Sequence, residues 1–203
     1  MITPRPFCLS LLETPGTIER AAAHFRERGI VGVEFIWGIN GPLCGLATAN
    51  TYDVDHPGTG FRIGSKLTGI YLGWYLAWSV LNFLPDSHFL VFEQDADLHP
   101  NFKARMEQAL RDVPADFDWL ALGHCCTANK PKTHIAGEVY DLRYPMCNQA
   151  TVIAKKALPH ILRTQRRLYG PQDCTLILDT FPALKVYTVL PRMADQLNTV
   201  LTP

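Results

Sequence analysis

Phe89–Phe92 is a continuous apolar run of the length that a strand buried on both faces requires, and it stops abruptly at Glu93, Asp95 and Asp97. Around it the hydrophobic pattern alternates between strand-like and helix-like segments. Pro6–Leu12 reads as a first strand and Thr14–Gly16 as its turn. Thr17 then caps a helix over Ile18–Arg28, where Ile18, Ala21, Ala22 and Phe25 recur at helical spacing and Gly29 ends the run. Ile30–Ile39 has the β-branched and aromatic content of a second strand, so the first third predicts a βαβ unit of a parallel sheet. Further on, Pro100–Val113 predicts an amphipathic helix with Phe102, Met106, Leu110 and Val113 on one side. Asp116–Gly123 and Ala150–Ile153 predict strands, Lys155–Leu168 a helix, Cys174–Phe181 a short helix and Ala183–Leu190 a last strand. Two stretches read as loops: Asn40–Ser65, rich in Gly, Pro, Thr and Asp, and His124–Asn148, interrupted by Pro131, Gly137 and Pro145 and of a length typical of substrate-binding loops.

Leu67–Leu84 is apolar on every side and carries no charge over eighteen residues, with Gly69 and Gly73 in GxxxG spacing. Its scattered Thr68, Ser79 and Asn82, its mid-span aromatics and the absence of a flanking basic cluster favour a buried core helix over a membrane span. At 203 residues the chain suits one compact domain, taken as 1–203, with enough length to bury a substantial core. Lys plus Arg equals Asp plus Glu at 19 each, so no overall field draws the chain to nucleic acid or to an anionic membrane. The six cysteines show no CxxC pair and no framework spacing, which points to reduced thiols in a cytosolic setting. His124-Cys125-Cys126 with His134 matches no usual zinc spacing.

The acids after Phe92 carry the chemistry. Three carboxylates within five residues at the mouth of a buried strand repel one another unless a cation neutralises them, and a hard oxygen-liganded ion, Mn²⁺ or Mg²⁺, suits them. Such an ion usually completes its shell with water and a substrate's phosphates. The competing reading is an acidic strand end paired with nearby Lys or Arg. A second string, Asp53-Val-Asp55-His56, has no buried strand before it and reads as turn chemistry.

The block GIYLGWYLAW (Gly69–Trp78), followed by LVFEQDADLHP and FDWLALG, resembles glycosyltransferase family 25, which includes lipooligosaccharide and hydroxylysine galactosyltransferases. The resemblance is firm from about Lys66 to Gly123. It implies a GT-A-like, Rossmann-type α/β fold, a mixed and mostly parallel sheet flanked by helices. It also implies a hexose, galactose or glucose, moved from a UDP-sugar to a glycan, lipid-linked or other hydroxyl acceptor with inversion. By the same resemblance Glu93 and Asp95 stand in register with the family's acids and serve the nucleotide-sugar site, and Arg20 on the first helix faces the nucleotide; Asp97 is added to that pattern, and the acids read as Asp95 and Asp97 holding the metal with Glu93 a ligand or a neighbour of it. Asp173, in Gly170-Pro-Gln-Asp173, corresponds to an acid beside the acceptor that takes its proton; the alternative is a simple N-cap of the helix that follows. Arg20 has the equally ordinary reading of a solvated helix charge. Two departures stand out: the family's Ser-His is Gly73-Trp74 here, and its middle acid is Gln94. They leave open a catalytically impaired sugar-nucleotide-binding module, and a nucleotidyltransferase would use similar carboxylates. The expected setting is cytoplasmic with no transmembrane span, compatible with peripheral contact at the inner membrane face.

Overall fold

A computed structural model describes residues 2–10, 16–42, 49–50, 62–125, 132–142, 144–168 and 170–197. Strand β1 (Arg5–Ser10) is followed by helix α1 (Thr17–Glu27) and strand β2 (Glu34–Trp37). Thr17 is the first helical residue and not the cap: the cap is Gly16, in the left-handed region at φ 77°. The second strand is shorter than expected, because Gly29 (φ 80°) and Gly32 (φ 70°) turn the chain before Glu34. Two-residue strands β3 (Ala49–Asn50) and β4 (Arg62–Ile63) pair antiparallel inside the stretch expected to be loop. The Asp53–His56 string lies outside the described residues.

Helix α2 (Ser65–Phe83) ends where Leu84 takes an extended ψ of 152°, as the residue before Pro85 must. Strands β5 (His88–Glu93) and β6 (Ala96–Leu98) follow, then α3 (Phe102–Asp112), which stops in the same way at Val113 before Pro114. Strand β7 (Trp119–Cys125) leads to a region that is not a structureless loop. It holds β8 (Thr133–Ala136), β9 (Val139–Asp141) and the first residues of β10 (Met146–Ala154). Helix α4 (Leu158–Thr164) is shorter than the expected span, and α5 (Gln172–Thr175) is continued by a π turn at Leu176–Thr180 and a 3₁₀ turn at Phe181–Ala183. Strands β11 (Val186–Val189) and β12 (Ala194–Gln196) close the described chain.

Every described strand except β3 and β4 joins one sheet of order β2-β1-β5-β10-β7-β11-β9-β8, with β12 bridging β6 and β7. β2, β1, β5, β7 and β11 run the same way, and β10 runs against its neighbours β5 and β7. This is the mixed, mostly parallel α/β sheet flanked by helices that the sequence predicts. Each face carries its own core. Phe25 of α1 and Phe102 and Met106 of α3 pack with Leu90 and Phe92 on one side; Trp74, Trp78 and Leu81 of α2 pack with Phe89, Val91 and Trp119 on the other. Burying each such side chain contributes roughly 1.5–3 kcal/mol. Among the described residues no helix is long and apolar enough to cross a membrane. The GxxxG of α2 serves a different purpose: a Cβ on Gly69 would stand 2.3 Å from the Ile39 carbonyl oxygen, and one on Gly73 3.3 Å from Gly38 Cα. The two glycines admit the backbone that leaves β2.

Candidate active site at the carboxyl rim of the sheet

β5 delivers its acids to the rim at which the parallel strands end. Phe92 faces the α1–α3 core, so Glu93 turns to the opposite face, where the indole Nε1 of Trp74 donates to its Oε1 at 3.3 Å. Burial, then the neighbouring charge of Asp95 and that of Asp173, push the Glu93 carboxyl up to about 8, with the Trp74 bond opposing. Asp173 therefore sits within electrostatic reach of the acids of β5, although it lies 80 residues further along the chain. The same acids, after burial itself, raise the thiol of Cys8 on β1.

Asp95 occupies the turn between β5 and β6. Its Oδ2 accepts from Gln196 Nε2 at 2.8 Å, and its carbonyl accepts from Leu197 N at 2.7 Å, so the residues around β12 clamp the turn. Asp97 lies on β6 in register with Asp195 of β12. Two like charges face each other there, an arrangement that costs stability unless balanced. Asp195 is balanced by His99 at 2.9 Å and by Arg192. Asp97 has His24 Nε2 at 3.6 Å, but that nitrogen already accepts the Leu98 N–H at 2.9 Å and so carries no proton. Burial lowers the His24 pKa, and the ring is a neutral neighbour to Asp97 and not its counter-ion.

Asp173 is in the first turn of α5, whose cap is Pro171, so the capping reading is corrected. Its carboxylate bridges two backbone donors, Cys174 N to Oδ1 at 2.9 Å and Cys147 N to Oδ2 at 3.2 Å. Cys147 is held in the left-handed region, φ 62°, and bonds to Cys125 in a disulfide whose Cα atoms stand 5.7 Å apart. That bond overturns the expectation of reduced thiols throughout, and with it the cysteine argument for a cytosolic setting. It also ends the zinc reading of His124-Cys125-Cys126: Cys125 is used, and His124 Nε2 donates to Val189 O at 2.9 Å. Arg20 lies on α1 near its start, with its Nη2 donating to Thr17 Oγ1 at 3.2 Å. Since α1 follows the carboxyl end of β1, this places Arg20 on the same rim of the sheet.

A cavity of about 540 Å³ opens among β6, β7, β10 and β12, lined among others by Cys125, Cys147, Gln149, Arg192 and Asp195; of the acids and the arginine expected from sequence, its described lining includes Asp97 and not Glu93, Asp95, Asp173 or Arg20. Among the described residues no group of three or more His, Cys, Asp or Glu side chains forms a ready metal cage. A Mn²⁺ or Mg²⁺ ion bound through one or two carboxylates and completed by phosphate and water needs no such cage. The donors of that site are all oxygen, which suits such an ion, and a cation there would oppose the burial and neighbouring charge that push the Glu93 carboxyl up to about 8.

Solved proteins of similar outline transfer sugars or nucleotides. A glycosyltransferase involved in glycosylation of the major capsid of PBCV-1 shares 14% identity over 91% of this chain and 81% of its own, at a TM-score of 0.48. The glycosyltransferase GlyE of Streptococcus pneumoniae TIGR4 shares 11% over 93% of this chain and 45% of its own, also at 0.48. The 4-diphosphocytidyl-2C-methyl-D-erythritol synthase of Anaerococcus prevotii shares 12% over 91% and 88%, at 0.43. Likeness at this level assigns no reaction and no residue. No family model and no curated protein matches the sequence.

The departures from the family pattern acquire places. Trp74, where the resemblance expects His, supplies the N–H that holds Glu93, and Gln94 accepts the Ser10 hydroxyl at 2.8 Å. Sequence reasoning missed Gln149, Gln172, Arg192 and Asp195. The readable signal was the amide pair Asn148-Gln149 directly before an apolar run: an antiparallel strand starts at the rim where its parallel neighbours end.

Proposed function

We propose that this chain is a sugar-nucleotide-dependent glycosyltransferase of GT-A type, acting as one domain, that moves a hexose from a UDP-sugar to a hydroxyl of a glycan or lipid-linked acceptor. The observation that carries the reading is that Asp173, 80 residues further along the chain, comes within electrostatic reach of Glu93, as Asp95 does, on one rim of the sheet. Asp95 and Asp97 would hold Mn²⁺ or Mg²⁺, with Glu93 beside them. When bound, the ion supplies positive charge against the diphosphate leaving group.

The chain's own residues do the rest. Trp74 fixes the Glu93 carboxyl by its N–H. Gln196 and the Leu197 N–H hold the Asp95 turn to β12, so the acids meet a ligand with their geometry already set. Asp173 is held at both oxygens by backbone N–H groups, yet each oxygen keeps a lone pair. It is the base that takes the proton from the acceptor hydroxyl, and inversion follows when that hydroxyl attacks opposite the leaving diphosphate. Arg20, near the start of α1, would pair with the nucleotide's phosphates.

The test is a thermal-shift and calorimetric panel of nucleotide sugars with and without Mn²⁺, followed by UDP release in the presence of hydroxyl acceptors. A metal-dependent rise in Tm with a UDP-hexose, and UDP release lost in Asp173→Asn, is the expected result. Binding without turnover would make the chain a sugar-nucleotide-binding module. Pyrophosphate release from a nucleoside triphosphate would move it to nucleotidyl transfer.

A further inference from the structure

Gln149 is only 4% exposed, yet its side-chain Oε1 has no hydrogen-bond partner while it lines the cavity at the rim. A buried acceptor left unsatisfied costs about 1–3 kcal/mol, so retaining one in a cavity wall asks for a donor from outside the chain. The surrounding groups narrow what that donor belongs to. Without a bound cation, Asp97 disfavours a phosphate or other anion placed against it, and Asp195 already engages His99 and Arg192. Among the described residues no aromatic carbocycle lines the space, and Leu197 is the one aliphatic side chain of the described wall. This described mix of donors and acceptors suits a neutral molecule with many hydroxyls, which can donate to Gln149 and the carboxylates and accept from Arg192 and Gln196.

We propose that this cavity is a sugar-binding site in which the Gln149 carboxamide oxygen accepts a hydrogen bond from a ring hydroxyl. Gln149 is a specificity-determining residue, set one step beyond Ala150, the partner of Phe92 on β5. Glu93 is likewise one step beyond Phe92, so the sugar subsite adjoins the acid cluster. Whether the sugar is the hexosyl group of a nucleotide sugar or part of a glycan acceptor rests on the transferase reading; the hydroxyl recognition does not.

The experiment compares wild type with Gln149→Met, which keeps length and volume and removes the amide. Affinities are measured for methyl hexosides, for UDP and for UDP-hexose in Mn²⁺. At least a tenfold loss is expected in a sugar arm, with UDP unchanged and Tm equal or higher, because an unsatisfied buried group has been removed. Loss confined to UDP-hexose places the donor sugar in the cavity, and loss confined to methyl hexosides places the acceptor there. A wild-type protein that binds methyl hexosides but ignores UDP and UDP-hexose keeps the sugar site and removes the transferase. Unchanged affinity in every sugar arm, or no sugar binding by wild type, overturns the proposal. So does a lower Tm with unchanged sugar affinity, which assigns Gln149 a purely structural bond. Should Gln149→Met fail to fold, Gln149→Asn withdraws the same amide by one methylene and must weaken sugar binding.

Discussion

The interior of the sheet and its carboxyl rim follow different rules. Between the helices, Phe89–Phe92, Leu120–Leu122 and Val152–Ile153 are apolar on both faces, and the buried atoms without partners there are the neutral indole N–H groups of Trp78 and Trp119. At the rim, β5 ends in a carboxyl pushed up to about 8, β10 begins with a left-handed Cys147 and an unpartnered amide oxygen on Gln149, and α5 adds the unpartnered amide nitrogen of Gln172. The interior packs apolar side chains for stability, whereas the rim gathers carboxyl and amide groups of the kind a ligand would complete. Substitutions in the interior should therefore change stability, and those at the rim should change binding and activity.

The largest effect is expected where α2 meets the backbone after β2. Gly69→Ala puts a methyl 2.3 Å from the Ile39 carbonyl oxygen and 2.5 Å from Gly41 N, and neither is a flexible side-chain tip. Urea unfolding should show a loss of about 3 kcal/mol or more. A loss under about 0.5 kcal/mol would mean that the helix and this crossing are not packed as described.

Asp95→Ala tests the opposite half of the comparison. It removes a proposed metal ligand whose side-chain bond to Gln196 is exposed. Activity should fall about 100-fold or more while the Tm moves little. Unchanged UDP release from a UDP-hexose would take Asp95 out of the chemistry. The disulfide lies between the two extremes. Cys125→Ser opens a link spanning 22 residues and should cost about 2–3 kcal/mol, read as a lower urea midpoint. Because Cys147 also carries the N–H that Asp173 accepts, turnover should fall beyond what stability explains.

Much of the interior is legible from sequence because long runs announce their period: β5, α3, β7 and β11 fall within a few residues of expectation. The rim is less so. β6 and β12 are three residues each, too short for periodicity, and exist because Ala194 reaches Gly123, where a Cβ would stand 2.9 Å from the Ala194 Cβ. The β8–β9 hairpin was hidden by Gly137, which reads as a loop breaker but supplies the φ of 52° that its turn requires. The GxxxG spacing is visible in the sequence and the core helix around it is as expected, but spacing alone does not say that an extended segment crosses the two glycines. The acids were legible as a group, but Asp173 joins them only through the fold.

The smallest change in the molecule, Glu93→Gln, sharpens the comparison most. In the native state Glu93 keeps its proton up to about pH 8, whereas in the unfolded chain it loses it near 4.5. Between those values the native state binds a proton that the unfolded state does not, so this group's contribution to stability is complete below about 4.5 and declines as pH rises to 8. Wild type should lose stability across that window, and Glu93→Gln, which has no charge to bury, should lose less; urea midpoints at pH 5, 7 and 9 read the difference. The cation proposed for the site reverses the argument, because its charge favours the ionised carboxylate. Titrating Mn²⁺ with UDP into wild type at pH 7 should therefore release protons, detected as a binding enthalpy that changes with the buffer's ionisation heat. Glu93→Gln should show no such dependence. Equal buffer dependence in both proteins would mean that the released proton comes from elsewhere and that Glu93 does not sense the ion.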